Sequence, residues 1–428
     1  MNPLRFTVVG IGGYGLFHLE AITWLEEQGL ANLVGLVALH RDQAKYSELI
    51  KSLKQRNVVI YSDIDEFFSS GCKYTDILTV PIGIHMHAPV SQAALQAGIH
   101  VYCEKPLAAT VQEVDQLISV QRKSDRKIAI GFQHITSYSM QQLKDRICDG
   151  RLGKVKEISV MCGWPRSSQY YSRNDWTGKL RLGDNWILDS PANSGHAHYL
   201  LNMLYLCSSE PNKAATPTKV RAELYRANHI PSPDLAQLYF ETEEGCKGSA
   251  IFSHSNFHVI EPLMRIVCEN GDVEWQTDNG KTTIKYKNGK EEEFDNETHE
   301  HWRFDGFKNL VQSIHENTNP VCTPEIARCH TVTINAMHES CPKIVQIPED
   351  DIVVVEDWEV FPPNSKGTFR KVKNMDEYLY EAFNRKCFLS ELGIPWATSE
   401  HSQVFELKDY TCFPENNLQA PRAESKGD

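Results

Sequence analysis

A glycine-rich turn near the start of the chain has the spacing of a nucleotide-binding loop. Residues 10–15 read Gly10-Ile11-Gly12-Gly13-Tyr14-Gly15. In this G-x-G-x-x-G pattern the first glycine permits a tight turn, the second lets the backbone approach a pyrophosphate, and the third allows close packing of a helix on a strand. The turn joins a strand pattern to a helix pattern, and a helix N-terminus attracts anions. The motif therefore predicts that these residues bind a dinucleotide, with contacts from Gly10, Gly12, Gly13, Tyr14 and Gly15.

The position that discriminates between such dinucleotides carries basic side chains. An acidic residue about 20 positions after the glycines normally binds the adenosine ribose hydroxyls of NAD. Here the end of the second predicted strand reads Ala38-Leu39-His40-Arg41-Asp42. His40 and Arg41 suit the 2′-phosphate of NADP, whereas in the alternative interpretation Arg41 is a solvated charge and Asp42 binds the ribose. The expected cofactor is NAD or NADP.

A lysine that could transfer a proton follows the fifth predicted strand, at residues 99–103. The chain continues there as Glu104-Lys105-Pro106. The carboxyl ends of parallel strands face the nucleotide crevice, so Lys105 would lie near the nicotinamide, which would lower its pKa. Such a lysine can take or return the proton of a substrate hydroxyl. The alternative is a surface pair of Lys105 and Glu104.

A segment rich in aromatic, arginine and carboxamide side chains is typical of a carbohydrate site. It covers residues 164–176 and 185–191. Aromatic faces stack on the C–H faces of sugars, while Arg, Asn and Asp side chains bind hydroxyls. We predict substrate contacts from Tyr171, Arg173, Trp176 and Asp189. In the alternative, this long loop packs on its own aromatic side chains or in a subunit interface.

The periodicity of the chain predicts the elements that position these residues. Strands and helices alternate through the N-terminal third, with strands predicted at residues 5–10, 33–39, 58–61, 76–81, 99–103 and 127–132. Such alternation predicts an α/β Rossmann domain with a parallel sheet and helices on both faces. From about residue 155, strand patterns follow one another, and two helices are predicted near residues 304–314 and 324–337. This pattern predicts an α+β domain with a large, mostly antiparallel sheet.

We therefore predict three regions: a dinucleotide-binding Rossmann domain at 1–132, an α+β substrate and oligomerisation domain at 133–348, and a C-terminal extension at 349–428. Regular patterns weaken after about residue 350. Residues 357–367 are interpreted as a turn-rich linker and 375–392 as one further helix, and the polar end of the chain is expected to fray.

Composition narrows the class of protein. The chain has 428 residues and a net charge of −12, which argues against nucleic acid as a partner. The first residues lack the long apolar region of a signal peptide, and no stretch reaches the about 20 apolar residues of a membrane span. The 12 cysteines contain no C-x-x-C pair, a pattern typical of reduced thiols. A cytoplasmic protein without a membrane partner is expected.

Taken as a group, the motifs resemble one family. The glycine turn, the segment Pro81-Ile82-Gly83-Ile84-His85 and the run AALQAGIHVYCEKPLA around Glu104-Lys105-Pro106 are similar to the Gfo/Idh/MocA (glucose–fructose oxidoreductase / inositol dehydrogenase) family. GFQHI at 131–135 is similar to that family's connection into its second domain. The resemblance covers about residues 5–345. It implies NAD(P)-dependent oxidation or reduction of sugars, inositols and related carbonyl compounds.

The resemblance also implies roles for individual residues. Pro81 and His85 would line the nicotinamide ribose region, Glu104 would contact the ring or ribose, and Lys105 would be the catalytic-region lysine. His198 matches the family's histidine before an apolar helix and is a second catalytic and substrate-binding candidate. The acids that accompany this histidine in the family are replaced by Ser194 and Leu201.

His196 and His198 together also suggest a metal, but no third ligand has suitable local spacing, so no metal is predicted. A buried structural role for His198 stays an alternative.

These observations predict hydride transfer between a nicotinamide cofactor and a hydroxyl or carbonyl carbon of a sugar-like or polyol substrate, with Lys105 or His198 moving the proton. One alternative is a glycosidase or lyase of the same fold that uses transient oxidation. Another is a non-catalytic dinucleotide-sensing scaffold with a regulatory C-terminal extension. The resemblance implies a homo-oligomer, dimer or tetramer, formed through the flat outer face of the second sheet.

Overall fold

Two sheets organise the chain. The computed structural model describes residues 2–277, 280–356 and 367–415, which contain a six-stranded parallel sheet and a ten-stranded mixed sheet. Both sheets were expected, and so was the change from one pattern to the other. The predicted linker, 357–367, lies outside the described residues except for residue 367, and so does the predicted polar end, 415–428, except for residue 415.

The N-terminal sheet has the strand order β3-β2-β1-β4-β5-β6 with parallel pairing throughout. Its strands are β1 Leu4–Val9, β2 Ala31–Val37, β3 Val59–Tyr61, β4 Ile77–Val80, β5 His100–Cys103 and β6 Ile128–Ile130. The helices are α1 Tyr14–Glu27, α2 His40–Lys45, α3 Ser47–Gln55, α4 Ile64–Glu66, α5 Ile84–Gln96 and α6 Val111–Ser124. The order reverses direction beside β1, so the carboxyl ends of β1 and β4 border the crevice in which such sheets bind ligands.

A helix from far along the chain completes one face of this sheet. Helix α10, Asp305–Glu316, packs with α1 there, and α5 and α6 cover the opposite face. Phe307 of α10 is fully buried and stacks on Tyr102 of β5 with 3.8 Å between ring centroids. The division of the chain at residue 132 stays a prediction, since α10 belongs to the N-terminal core by packing.

The large sheet has the order β16-β15-β14-β13-β7-β12-β11-β10-β17, with β20 paired to β10. Its strands are β7 Val155–Gly163, β10 Pro217–Arg226, β11 Leu235–Thr242, β12 Lys247–Ser253, β13 Ile260–Cys268, β14 Gly271–Gln276, β15 Lys281–Tyr286, β16 Glu291–Asp295, β17 Val345–Gln346 and β20 Phe405–Glu406. Most pairs are antiparallel, but β7 pairs with β12 in parallel. A second parallel pair joins β17 to β10. The pairing of β7 with β12 brings the carboxyl ends of two distant strands to the same edge.

Helices and short elements fill the rest of this half. They are α7 Tyr138–Cys148, α8 Ser168–Ser172, the pair β8 Arg181–Leu182 and β9 Asn185–Trp186, α9 Ala197–Leu206, α10 Asp305–Glu316 and α11 Pro324–Ser340. Asn335 of α11 fixes this half to the first one: its amide accepts from Val111 N–H at 2.9 Å and donates to Ala109 C=O at 2.8 Å.

The region after residue 350 is more regular than predicted. It forms the hairpin β18 Ile352–Val355 and β19 Phe369–Val372, followed by α12 Met375–Arg385. The prediction of one helix over 375–392 was wrong, because Lys386 adopts a left-handed conformation (φ 51°) that ends α12. A short 3₁₀ turn, Leu389–Leu392, comes after it.

This C-terminal segment covers one face of the large sheet. Tyr225, Leu235 and Ile251 point to that face and are buried with Leu379 and Phe383 of α12. The flat face expected to be open is therefore occupied in part by the chain itself. The homo-oligomer stays a prediction, and any interface on this face has to include the C-terminal segment.

Truncating α12 at this contact tests how much the segment contributes. We expect Leu379→Ala to lower the free energy of unfolding by about 2–5 kcal/mol, because it opens a cavity in a fully buried site. Tyr380→Ala, at the adjacent position with 47% of the residue exposed, should change it by less than about 0.5 kcal/mol. Chemical denaturation measures both. Equal effects of the two variants would mean that α12 does not pack on the sheet.

Candidate functional site

The glycine turn has the shape that a dinucleotide requires. Gly10 has φ 91°, and a Cβ on Gly15 would lie 2.4 Å from Gly10 O, so the turn and α1 approach too closely for any side chain. Gly12 and Gly13 are exposed, and α1 starts with neither a side-chain cap nor an acidic residue in its first turn. The start of α1 is thus open to an anion. The residues present fit a pyrophosphate.

The ribose-selecting positions lie at the start of α2. His40 and Arg41 are both exposed, and the side chain of Arg41 is 82% exposed. Its closest carboxylate in the described residues is Asp42, with 3.9 Å between Arg41 Nε and Asp42 Oδ1. Both alternatives from the sequence, Arg41 on a phosphate or Asp42 on a ribose, are compatible with this arrangement.

The segment after β4 joins the turn to the substrate loop. Pro81 is buried, and Ile82 contacts Gly10, since a Cβ there would lie 3.4 Å from Ile82 Cγ2. A Cβ on Gly83 would meet His85 Cε1 at 3.0 Å and Trp176 Cδ1 at 3.5 Å. The predicted nicotinamide-region residue His85 and the predicted substrate residue Trp176 therefore flank one glycine.

Glu104 is held by a histidine that sequence reasoning missed. The Nε2 of His18 donates to Glu104 Oε1 at 3.1 Å, and both side chains are buried. The other oxygen, Oε2, accepts from the backbone N–H of Lys105 at 3.1 Å. Tyr14 lies on the same side of α1 and donates to Gln133 Oε1 at 3.0 Å. His18 lies one turn after Tyr14, and this i, i+4 spacing is the signal that could have indicated it.

Lys105 bridges the two halves. Its Nζ donates to the backbone oxygen of Ser194 at 2.6 Å. The peptide bond to Pro106 is cis. Burial lowers the pKa of Lys105, and the nearby carboxylates of Glu104 and Asp189 oppose that change. A lysine in this environment is easier to deprotonate than one in water.

His198 lies in the first turn of α9. Its ring is 4.8 Å from His134 and 5.9 Å from Phe132, between centroids. Burial first, and then the charge of Lys105, hold the pKa of His198 well below its ordinary value. In the described part of the chain, His198 Nδ1 has no hydrogen-bond partner. His198 is therefore neutral, and it lacks the carboxylate that would make it a stronger base.

The predicted substrate loop is built around Asp189 and Tyr171. Asp189 is buried, its Oδ2 accepts from Gly178 N–H at 2.6 Å, and burial raises its pKa. The guanidinium of Arg173 lies 3.6 Å from the ring centroid of Tyr170 and 5.8 Å from that of Trp176. The loop thus packs partly on itself, as the alternative expected, while Asp189 and Arg173 contribute to the electrostatics of Lys105.

A second group of polar side chains, missed as a site by sequence reasoning, adjoins Lys105. We call Arg166, His196 and His254, with the ring of Trp164, the Arg166 pocket. Tyr171 OH reaches it, 3.5 Å from His254 Nδ1.

No local spacing could reveal the Arg166 pocket, because Arg166 follows β7 and His254 follows β12. The sequence alone suggests His196 only as a possible metal ligand. In residues 2–277, 280–356 and 367–415, no three His, Cys, Asp or Glu side chains form a metal-binding group.

Two family models match this chain. Residues 4–132 match the family model described as "Oxidoreductase family, NAD-binding Rossmann fold", and residues 140–274 match the model of the GFO/IDH/MocA C-terminal domain. Among the relatives is the myo-inositol 2-dehydrogenase of Thermotoga maritima, 26% identical over 159 residues, which are 37% of this chain and 44% of that protein. The inositol 2-dehydrogenase of Salmonella typhimurium is 28% identical over 156 residues, 35% of this chain and 43% of that protein. The matches thus span about half the length of these relatives.

A solved structure shares the fold over most of the chain. The WlbA dehydrogenase of Bordetella pertussis, in complex with NADH and UDP-GlcNAcA, is 19% identical with a TM-score of 0.63. The alignment covers 80% of this chain and 97% of that one. No helix in the described segments is long and apolar enough to cross a membrane.

Proposed function

Because this chain belongs to the Gfo/Idh/MocA family of NAD-binding oxidoreductases, we propose that it is an NAD(P)-dependent dehydrogenase or reductase. Its substrate would carry a hydroxyl or carbonyl carbon on a sugar, an inositol or a similar polyol. One observation carries the proposal. Lys105, at the end of β5, reaches across to Ser194 O at 2.6 Å, beside the turn that fits a pyrophosphate.

In the proposed mechanism, different residues bind the cofactor and transfer the proton. Residues of the glycine turn hold the dinucleotide, and Glu104, fixed by His18, orients the end of β5. The nicotinamide ring, when bound, accepts or supplies the hydride. Lys105 takes the hydroxyl proton during oxidation and returns it during reduction. Its lowered pKa suits this role, whereas the strongly lowered pKa of His198 makes that imidazole a weaker base.

His198 is therefore assigned to orienting the substrate. Its unpaired Nδ1, within the described residues, is available to a substrate oxygen. The rest of the proposed substrate site is formed by Asp189, Tyr171, Arg173 and Trp176.

Nicotinamide absorbance tests the proposed function. The purified protein is incubated with NAD or NADP and a panel of neutral and acidic sugars and inositols. Net formation of reduced cofactor, matched by oxidised product, is the expected result. Cleavage products without a net absorbance change would favour transient oxidation, and cofactor binding without turnover on any substrate would contradict an enzyme.

The choice of nucleotide has its own test. We expect tighter binding of NADP than of NAD, and Arg41→Ala should weaken NADP about tenfold while leaving NAD unchanged, because only NADP offers a phosphate to the guanidinium. Calorimetric titration of both nucleotides measures this. Arg122→Ala, an exposed arginine on α6, is the control. Loss of NAD binding in Asp42→Ala, with Arg41→Ala silent, would instead support a ribose contact by Asp42.

A further inference from the structure

Arg166 is a buried cation with no carboxylate partner among the residues that the structure describes. It is 7% exposed, and its Nε finds no acceptor within the described residues. Its guanidinium carbon lies 4.7 Å from the ring centroid of Tyr170 and 5.7 Å from that of Trp164. Its backbone N–H is fixed on His254 O at 2.9 Å. Aromatic faces offset part of the cost of burying a charge, but an unpaired buried ion is a costly arrangement that a bound anion would relieve.

Two neutral histidines adjoin this cation. His196 is fully buried, and neither of its ring nitrogens has a partner in the part of the chain that the structure describes. Within the described residues, His254 Nε2 also has no hydrogen-bond partner, and the ring centroids of His196 and His254 are 5.1 Å apart. Burial keeps the pKa of both groups well below the ordinary value, so each ring is neutral and offers one N–H donor.

The Arg166 pocket contacts Gly195, the residue that follows the hydrogen-bond acceptor of Lys105. Lys105 Nζ binds the backbone oxygen of Ser194, and a Cβ on the next residue, Gly195, would lie 2.8 Å from His254 Nε2. A ligand group that contacts His254 would therefore lie close to Lys105. The unsatisfied donors thus belong to the same site as the proton-transferring group.

From this geometry we infer that the Arg166 pocket binds a carboxylate of the substrate, so that the preferred substrate is a sugar acid or polyol acid; the inference rests on the proposed function. A guanidinium fork matches a planar carboxylate through two parallel hydrogen bonds. One enclosed cation with two neutral donors balances a single negative charge. A phosphate carries about −1.5 to −2, which is more negative charge than Arg166 alone balances. The second enclosed cation, Lys105, donates to Ser194 O and is assigned to proton transfer, and Arg173 is exposed.

Matched substrates test the inference. The pairs D-glucuronate and D-glucose, and D-galacturonate and D-galactose, each differ by a carboxylate in place of a hydroxymethyl group. D-glucose 6-phosphate is the phosphate arm. Two measurements are made on the full chain. One is kcat/KM with the preferred cofactor, and the other is the shift in Tm that each compound produces on the protein saturated with the reduced form of that cofactor.

The wild-type protein should prefer the acid of each pair by about 10- to 100-fold in kcat/KM, because hydrogen bonds to a charged group are lost with the neutral sugar. Arg166→Gln should remove the preference for the acid, whereas Arg166→Lys should retain part of it. Arg151→Gln, which alters an exposed arginine paired with Asp149, should retain it. Without substrate, Arg166→Gln should not lower the Tm, because it removes an unpaired buried charge.

Equal turnover of acid and neutral sugars, or a preference for the phosphate, would overturn the inference and leave the proposed function intact. A carboxylate-dependent Tm shift that Arg166→Gln abolishes, without any turnover, would support the inference while contradicting the proposed function. A lower Tm in ligand-free Arg166→Gln, with the acid preference unchanged, would assign Arg166 a structural role and overturn the inference.

Discussion

Lys105→Ala is expected to lower kcat by a factor of roughly 10³, while the Kd of the dinucleotide changes little. The amine lost in this variant is the group that exchanges a proton with the substrate. The dinucleotide is held mainly by the glycine turn and the start of α1, which the substitution does not touch. Nicotinamide absorbance gives kcat, and calorimetric titration gives the Kd.

The pH profile separates a proton-transferring lysine from a merely structural one. The neutral amine is the active base for oxidation, and burial lowers its pKa, so kcat/KM for oxidation should rise with pH at a midpoint below the ordinary lysine value of about 10.4. This rise should disappear in Lys105→Ala. Lys123→Ala, in the last turn of α6, is the control and should retain the wild-type profile. Unchanged turnover in Lys105→Ala would remove Lys105 from the mechanism.

Gly15→Ala is expected to weaken dinucleotide binding by roughly 10- to 100-fold, because forcing an extra methyl group into a closely packed site typically costs about 1–3 kcal/mol. The added methyl group would lie 2.4 Å from Gly10 O and 3.0 Å from Gly10 C, and neither backbone atom can move without opening the turn. The Tm should fall as well, because β1 and α1 can no longer pack closely.

Gly12→Ala provides the matched comparison. A Cβ there has only Tyr46 OH within 4 Å, at 3.9 Å, among the described residues. It should therefore keep the Tm while hindering the approach of a pyrophosphate. Undiminished dinucleotide affinity in Gly15→Ala would show that the turn is not the binding loop.

Local patterns were sufficient to predict where in the fold the candidate dinucleotide-binding residues lie. The glycine turn, His85 and Lys105 each come within a few residues after a strand of the parallel sheet, where the order of elements along the chain already fixes their position. The Arg166 pocket could not be predicted in this way. Arg166 and His254 are 88 residues apart and meet only because β7 and β12 pair in parallel, a register set by packing rather than by nearby sequence.

The C-terminal segment was misjudged for a related reason. Met375, Leu379 and Phe383 recur at helical spacing and are buried, so the helix itself was visible in the sequence. The surface that α12 would cover was not visible. An apolar residue of β10, β11 or β12 has the same appearance in the sequence whether one face of the sheet is covered or both faces are.

The position of α12 has a consequence for how the protein matures in the cell. A ribosome delivers the strands of the large sheet well before it delivers Leu379 and Phe383, and synthesis proceeds at about 5–20 residues per second. During that interval Tyr225, Leu235 and Ile251 present an apolar surface to solvent or to a chaperone. The nascent sheet can reach its final stability only after α12 has left the exit tunnel. Translation that stops before α12 would therefore yield a protein in which the face of the sheet that α12 normally covers is exposed and prone to aggregate.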